Sequence, residues 1–324
     1  MRFSQETLTL LRGEPLAQGN TRVFREVFPL SGEWWDTIRL VFHHVVTIGT
    51  GAGAIVLGGY NWLKNVTLKT SKNEVPVYSP GRGLYLLNYW DNKQAPYYNA
   101  IVAASAEYVA VIDIPFSFNF LDYKDNLQFQ SKLYSMLELE LACGTIADLY
   151  GAPGTASVVT TVDIILSRSK SAFLADQAKN QAKFAAMPYI RHYAPFNPAT
   201  LPYLLFESAQ DLAIFAILIK AFRDATPGVA YSGTPADILD RITFKDNVMS
   251  WLQSLPLAHF QADRQKGNMP LIGFYPYLFA TDGSMVSAYG SAGKTEIRLE
   301  IGEILGAPDD PQVDVLIVGM RSLR

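Results

Sequence analysis

An ordered set of internal echoes constrains this chain more than any other feature. Trp62-Leu63-Lys64-Asn65-Val66-Thr67-Leu68-Lys69 is built like Ile238-Leu239-Asp240-Arg241-Ile242-Thr243-Phe244-Lys245: two apolar residues, two polar ones, then apolar-Thr-apolar-Lys. The offset, from 62 to 238, is 176 residues. The last five residues of each copy alternate apolar and polar, the period of a strand with one buried face. One echo decides little, but three more follow in the same order. The apolar-Pro-aromatic surroundings of Pro115 correspond to those of Pro276, an offset of 161. Leu137-Glu138-Leu139-Glu140-Leu141 corresponds to Ile297-Arg298-Leu299-Glu300-Ile301 at 160, and Val162-Asp163-Ile164-Ile165-Leu166 to Val313-Asp314-Val315-Leu316-Ile317 at 151. The offset falls along the chain and never reverses. A duplicated unit whose loops were trimmed differently in each copy leaves this trace.

Length agrees, because 324 residues exceed one ordinary core and suit two. With 49% hydrophobic, 12% aromatic and only 18% charged residues, a well-buried β-leaning protein is expected. A formal net charge of −3 and the lack of a Lys/Arg-rich run give no footprint for direct nucleic-acid binding. The single cysteine, Cys143, excludes an intramolecular disulfide framework and a Cys-based zinc cluster, and suits a reducing compartment. No signal-like or spanning segment stands out; the most apolar run, Leu212 to Ala221, is short and holds Lys220.

In chain order, Ser4 to Arg12 reads as a short helix, capped by Ser4, with Leu8 and Leu11 on one face and Gly13 as its stop. Trp34 to Ile48, Glu107 to Phe118, Leu133 to Cys143 and Ser157 to Ser167 read as strands. Pro80 to Asn92 is read as containing a helix. Arg168 to Ala186 reads as a polar helix or linker between the halves. The second half repeats the theme with strands at Leu212 to Phe222, Leu271 to Ala280, Thr295 to Ile301 and Val313 to Met320, and a helix from Asn247 to Gln265. Many strands with long irregular loops suit a Greek-key or jelly-roll sandwich, and the regular helix alternation of a doubly wound sheet is missing. The expected fold is therefore all-β: two tandem jelly-roll sandwiches with short inserted helices and an N-terminal helix. The expected boundaries are 1–22 for a helical arm, 23–169 for the first jelly roll, and 170–324 for the linker and second.

No cluster announces chemistry, and no catalytic, cofactor-binding or metal-binding residues and no cofactor are assigned. His43 and His44 are adjacent on a strand, so they face opposite sides and cannot share a metal. His192 and His259 read as isolated. Glu138 and Glu140 share a face, and are read as marking a solvent or subunit face while Leu137, Leu139 and Leu141 fill the core. Asp163 and Asp314 are expected to play similar structural roles at strand starts, Gly51-Ala52-Gly53 to be a connection without phosphate-loop chemistry, and Cys143 to be a core thiol.

From about Val23 to Met320 the chain resembles the double jelly-roll major capsid proteins of icosahedral viruses, especially lipid-containing tectivirus-type bacteriophages. The resemblance rests on Tyr60-Asn61-Trp62-Leu63-Lys64-Asn65-Val66-Thr67-Leu68, on the Tyr108 to Phe118 strand with Asp113-Ile114-Pro115-Phe116, on the Leu133 to Gly144 strand, and on similar pieces in order in the second half. It implies a homotrimer of pseudo-hexagonal outline, neighbouring capsomers, penton, spike and minor capsid proteins as partners, and a place in the virion shell. It also puts the Ser4 to Arg12 helix in the right place to lie at the capsid base beside an internal membrane, so that deleting residues 1–12 is expected to leave the trimer intact but impair shell assembly or membrane attachment. The competing reading is a two-sandwich glycan-binding protein or peptide-N-glycosidase-like hydrolase, which needs convergent carboxylates and exposed rings from Trp34, Trp35, Trp62, Trp90 or Trp251. A non-viral trimeric scaffold or adhesin is a third.

Overall fold

The computed structural model describes residues 5–30, 34–47, 58–72, 74–92, 96, 106–121, 128–150, 154–169, 186–201, 203–206, 212–222, 238–246, 250–254, 274–280, 288–290, 297–302, 304–305 and 312–322. The first half carries β1 (Gln5–Leu16), β2 (Thr21–Phe24), β3 (Trp34–Thr47), α1 (Gly58–Trp62), β4 (Leu63–Thr70), β5 (Val77–Ser79), α2 (Gly81–Asn92), β6 (Ala106–Pro115), β7 (Phe129–Gln130), β8 (Leu137–Cys143), α3 (Ile146–Leu149) and β9 (Ser157–Ser169). Then come β10 (Ala186–Phe196), β11 (Tyr203–Phe206), β12 (Leu212–Phe222), β13 (Ile238–Leu239), β14 (Ile242–Asp246), β15 (Ser250–Ser254), β16 (Phe274–Leu278), β17 (Tyr289–Gly290), β18 (Ile297–Ile301), β19 (Ile304–Leu305) and β20 (Gln312–Ser322). The chain divides into two compact units: residues 1–191 with 320–324, and residues 192–319.

Strand order shows the duplication directly. In the first half one sheet runs β1-β9-β3-β6 and the other β2-β8-β4-β5; the later strands repeat these orders as β10-β20-β12-β16 and β11-β18-β14-β15. In each roll the first and last strands of one sheet, β1 with β9 and β10 with β20, lie side by side, which is jelly-roll connectivity. The echoes also agree in register. Val66, Thr67, Leu68 and Lys69 face Leu141, Glu140, Leu139 and Glu138. Ile242, Thr243, Phe244 and Lys245 face Ile301, Glu300, Leu299 and Arg298, the same pairing residue for residue. The proline echo holds less well: Pro115 faces Thr37, whereas Pro276 faces Leu218, which lies well inside β12.

Alternation dictates the packing. Ile38, Leu40 and Phe42 of β3, Ile112 and Ile114 of β6, and Val162, Ile164 and Leu166 of β9 are all buried, while Arg39, His43 and Asp163 point away from that core. Trp35 stacks on Phe129 at 5.4 Å, and Phe42 meets the edge of Trp62 at 6.1 Å. In β12 and β20 residues on both faces are buried, Lys220 and Asp314 included.

Three expectations change. Residues 5–16 are a strand, not a helix: β1 pairs antiparallel with β9 from Gln5↔Ser169 to Leu16↔Thr160. Long-range pairing overrides a local pattern in which Leu8 and Leu11 could share a helical face. Gly13 does not stop a helix; it lies in a register shift of β1 with φ +62°, and its N–H donates to Asp163 Oδ1 at 2.7 Å. Within the expected Asn247 to Gln265 helix, Ser250–Ser254 is strand β15, paired with β14; positions 247–249 and 255–265 lie outside the described residues. At the expected linker, Arg168 and Ser169 end β9 and Ala186 begins β10, and 170–185 lie outside the described residues. The helix expected within Pro80 to Asn92 is present as α2. Among the described residues, no helix is long and apolar enough to cross a membrane.

Candidate functional site

His43 and His44 fall on opposite faces of β3. His44 is fully buried, sharing a 2.9 Å hydrogen bond with Thr160 Oγ1, and burial, with a smaller contribution from His43, lowers its pKa to about 3. His43 sits on the outer face between Glu107 (Nδ1 to Oε1 2.5 Å) and Asp163 (Nε2 to Oδ2 3.4 Å). Its two ring nitrogens are taken by carboxylates on opposite sides, so the three groups do not converge on one point. Among the described residues no group of three or more His, Cys, Asp or Glu side chains could hold a metal ion.

Glu138 and Glu140 share a face as expected, yet Glu138 is buried rather than solvent-facing. Arg25 covers it through a hydrogen bond, which holds its carboxyl below the usual range despite desolvation, and Lys69 approaches it at 3.8 Å. Lys69 also donates to Glu140 at 2.6 Å, and the echo is kept in the second unit, where Lys245 pairs with Glu300. The Thr and Lys of the repeated stretch are thus sheet-face residues with matched partners.

Asp163 and Asp314 differ in place and partner. Asp163 lies in the middle of β9 rather than at a strand start, holding Gly13 and facing His43. Asp314 is near the start of β20, buried beside His192 of β10, with Nε2 to Oδ1 at 3.2 Å. His192 is therefore not isolated. That contact requires β10 to lie beside β20, a pairing no local spacing reveals. His259 and Gly51-Ala52-Gly53 lie outside the described residues. Cys143 is buried, its thiol pushed up to about 11 by desolvation, the state of an unreactive core residue.

A polar cleft of about 360 Å³ opens on the outer face of the β1-β9-β3-β6 sheet beside the end of α2. Its carboxylates are engaged: Asp113 grips Arg39 in a bidentate pair at 2.7 and 2.8 Å, Asp91 accepts the N–H of Asn119 at 2.7 Å, and Asp36 accepts from Gln128. Trp34, Trp35 and Trp62 are buried, and Trp90 packs on Phe120 at 4.5 Å, so these rings do not form a glycan-stacking platform. Trp251 lies in β15.

No protein-family model matches the chain, and no curated protein matches it. Solved structures do match. The crystal structure of the STIV MCP aligns with a TM-score of 0.72 at 13% identity, covering 98% of this chain and 97% of that one. The atomic structure of Sulfolobus Turreted Icosahedral Virus aligns at 0.74 and 15%, covering 98% and 91%. The major capsid protein of bacteriophage PM2 aligns at 0.61 and 14%, covering 99% and 98%. The fold is the double jelly roll of viral major capsid proteins, over essentially the whole chain.

Proposed function

We propose that this chain is the major capsid protein of an icosahedral virus, a structural tile and not an enzyme. The carrying observation is that one jelly roll occurs twice with identical strand order and matching register, over nearly the full length of capsid proteins with the same fold. Duplication gives such a tile its use. Three chains carrying two similar rolls each present six similar units, so a homotrimer imitates a hexagon and can tile a closed shell with neighbouring capsomers. The first roll takes in β1 and runs to Ser169; a linker and the second roll share residues 170–324. Partners are further copies of the chain, with penton, spike and minor capsid proteins at special positions. Residues 5–16 belong to the first sheet, so a helical arm on a membrane is not part of the proposal. Nothing on the described surface favours the glycan-enzyme reading, since Trp34, Trp35 and Trp62 are buried.

Size-exclusion chromatography with light scattering is expected to give a trimer, and electron microscopy of the source pseudo-hexagonal capsomers in icosahedral particles. A chain that stays monomeric at every concentration would sink the reading.

A further inference from the structure

Large exposed apolar side chains among the described residues gather mainly at two places. On β11 and just before it, Leu201 (43% exposed), Tyr203 (37%) and Leu205 (51%) stand outward within five residues. The strand edges its sheet, and Arg298 of the neighbouring β18 lies over the Tyr203 ring at 4.7 Å, directly across from Leu205. This patch is apolar with a rim of net positive charge, in which Arg298 and Lys245 flank and pair with the single acid Glu300 on the same sheet face. In the other unit, Val45 (50%) and Val159 (66%) are paired neighbours on the outer face of β3 and β9. Glu107 stands directly across from Val45 on β6, and Asp163 lies further along β9. That patch is apolar with an acidic rim.

Apolar centres with rims of opposite net charge in the two units suit a head-to-tail contact, in which two different surfaces of the same chain meet in successive copies and the ring closes by rotation. We propose that the β11 face of one copy seats on the Val45/Val159 face of the next, with Arg298 of the first meeting Glu107 of the second. The assignment rests on the tile reading above and names the two surfaces that reading needs.

The test is a charge exchange in the full chain. Glu107→Arg and Arg298→Glu are made singly and together, and association is followed by light scattering over a concentration series. Each single variant is expected to weaken association at least tenfold, and the double exchange to restore most of it, which a merely structural role would not do. Thermal melting by circular dichroism checks that each variant is folded. Should Glu107→Arg not fold, having lost its His43 partner, Val159→Asp and Leu205→Asp carry the test and are each expected to block association. Wild-type trimers together with variants that associate normally would overturn this assignment and leave the tile reading standing. A wild-type chain that never associates overturns both.

Discussion

His44 is neutral in the folded chain because its ring is enclosed beside Phe42 and Trp62, at centroid distances of 6.1 and 5.3 Å. In the unfolded chain it titrates near 6.5, whereas in the folded one the value is lowered to about 3. A depressed folded value means that the stabilising contribution is complete above the unfolded pKa and is lost as pH falls toward the folded one. Unfolding free energy should therefore drop as pH falls below about 6.5, by at most about 1.4 kcal/mol per pH unit from this group. Glu138, held low by Arg25, has the same sign, but its contribution begins to be lost only near the ordinary glutamate range of about 4.3. The window from pH 6.5 to 5 thus isolates histidine. Denaturant unfolding there should show a slope that His44→Asn reduces, and an unchanged slope would refute the assignment. The opposition of His43 and His44 was legible in the sequence because strand alternation forces it. The His192–Asp314 contact was not, because it depends on which strands become neighbours.

The strand β1 carries the largest correction and a prediction of its own. Its sequence satisfies two local patterns at once: Leu8 and Leu11 fit a helix, while Thr7 and Thr9 alternate with Leu8 and Leu10 as in a strand. Propensity over so short a stretch is weak, and the unpaired edge of β9 decides between them. Removing residues 1–12 deletes the pairs from Gln5↔Ser169 to Leu11↔Ile164 and uncovers that edge. At about 1 kcal/mol per backbone hydrogen bond lost, the truncated chain should lose at least about 2 kcal/mol of stability and become prone to aggregation. Thermal unfolding measures this directly; an unaltered melting temperature would mean that β1 adds nothing and would return the segment to the role of a detachable arm. The long strands β3, β9, β12 and β20 were legible because β-branched and aromatic residues run through them. The short β2, β7 and β13 carry too few residues for a period to show.

At the scale of the molecule, the duplication was legible through spacing alone, and the register of β4 on β8 and of β14 on β18 confirms it position by position. Which surfaces meet other copies was not legible, because exposure depends on both sheets of each sandwich being in place. Jelly-roll connectivity has a kinetic consequence. The first strand of the first sheet pairs with β9, roughly 150 residues later in the chain, and β10 waits for β20 in the same way. Closing such long loops precedes the contacts that offset their entropy cost, so folding cannot be nucleated by neighbouring strands alone. Refolding from denaturant, followed by the fluorescence of the buried Trp35 and Trp62, should therefore proceed on the millisecond-to-second scale of non-local β proteins or slower. Loss of residues 1–12 should accelerate unfolding if β1 is the last strand to add. Completion in microseconds would contradict the folding scale expected of so non-local a topology.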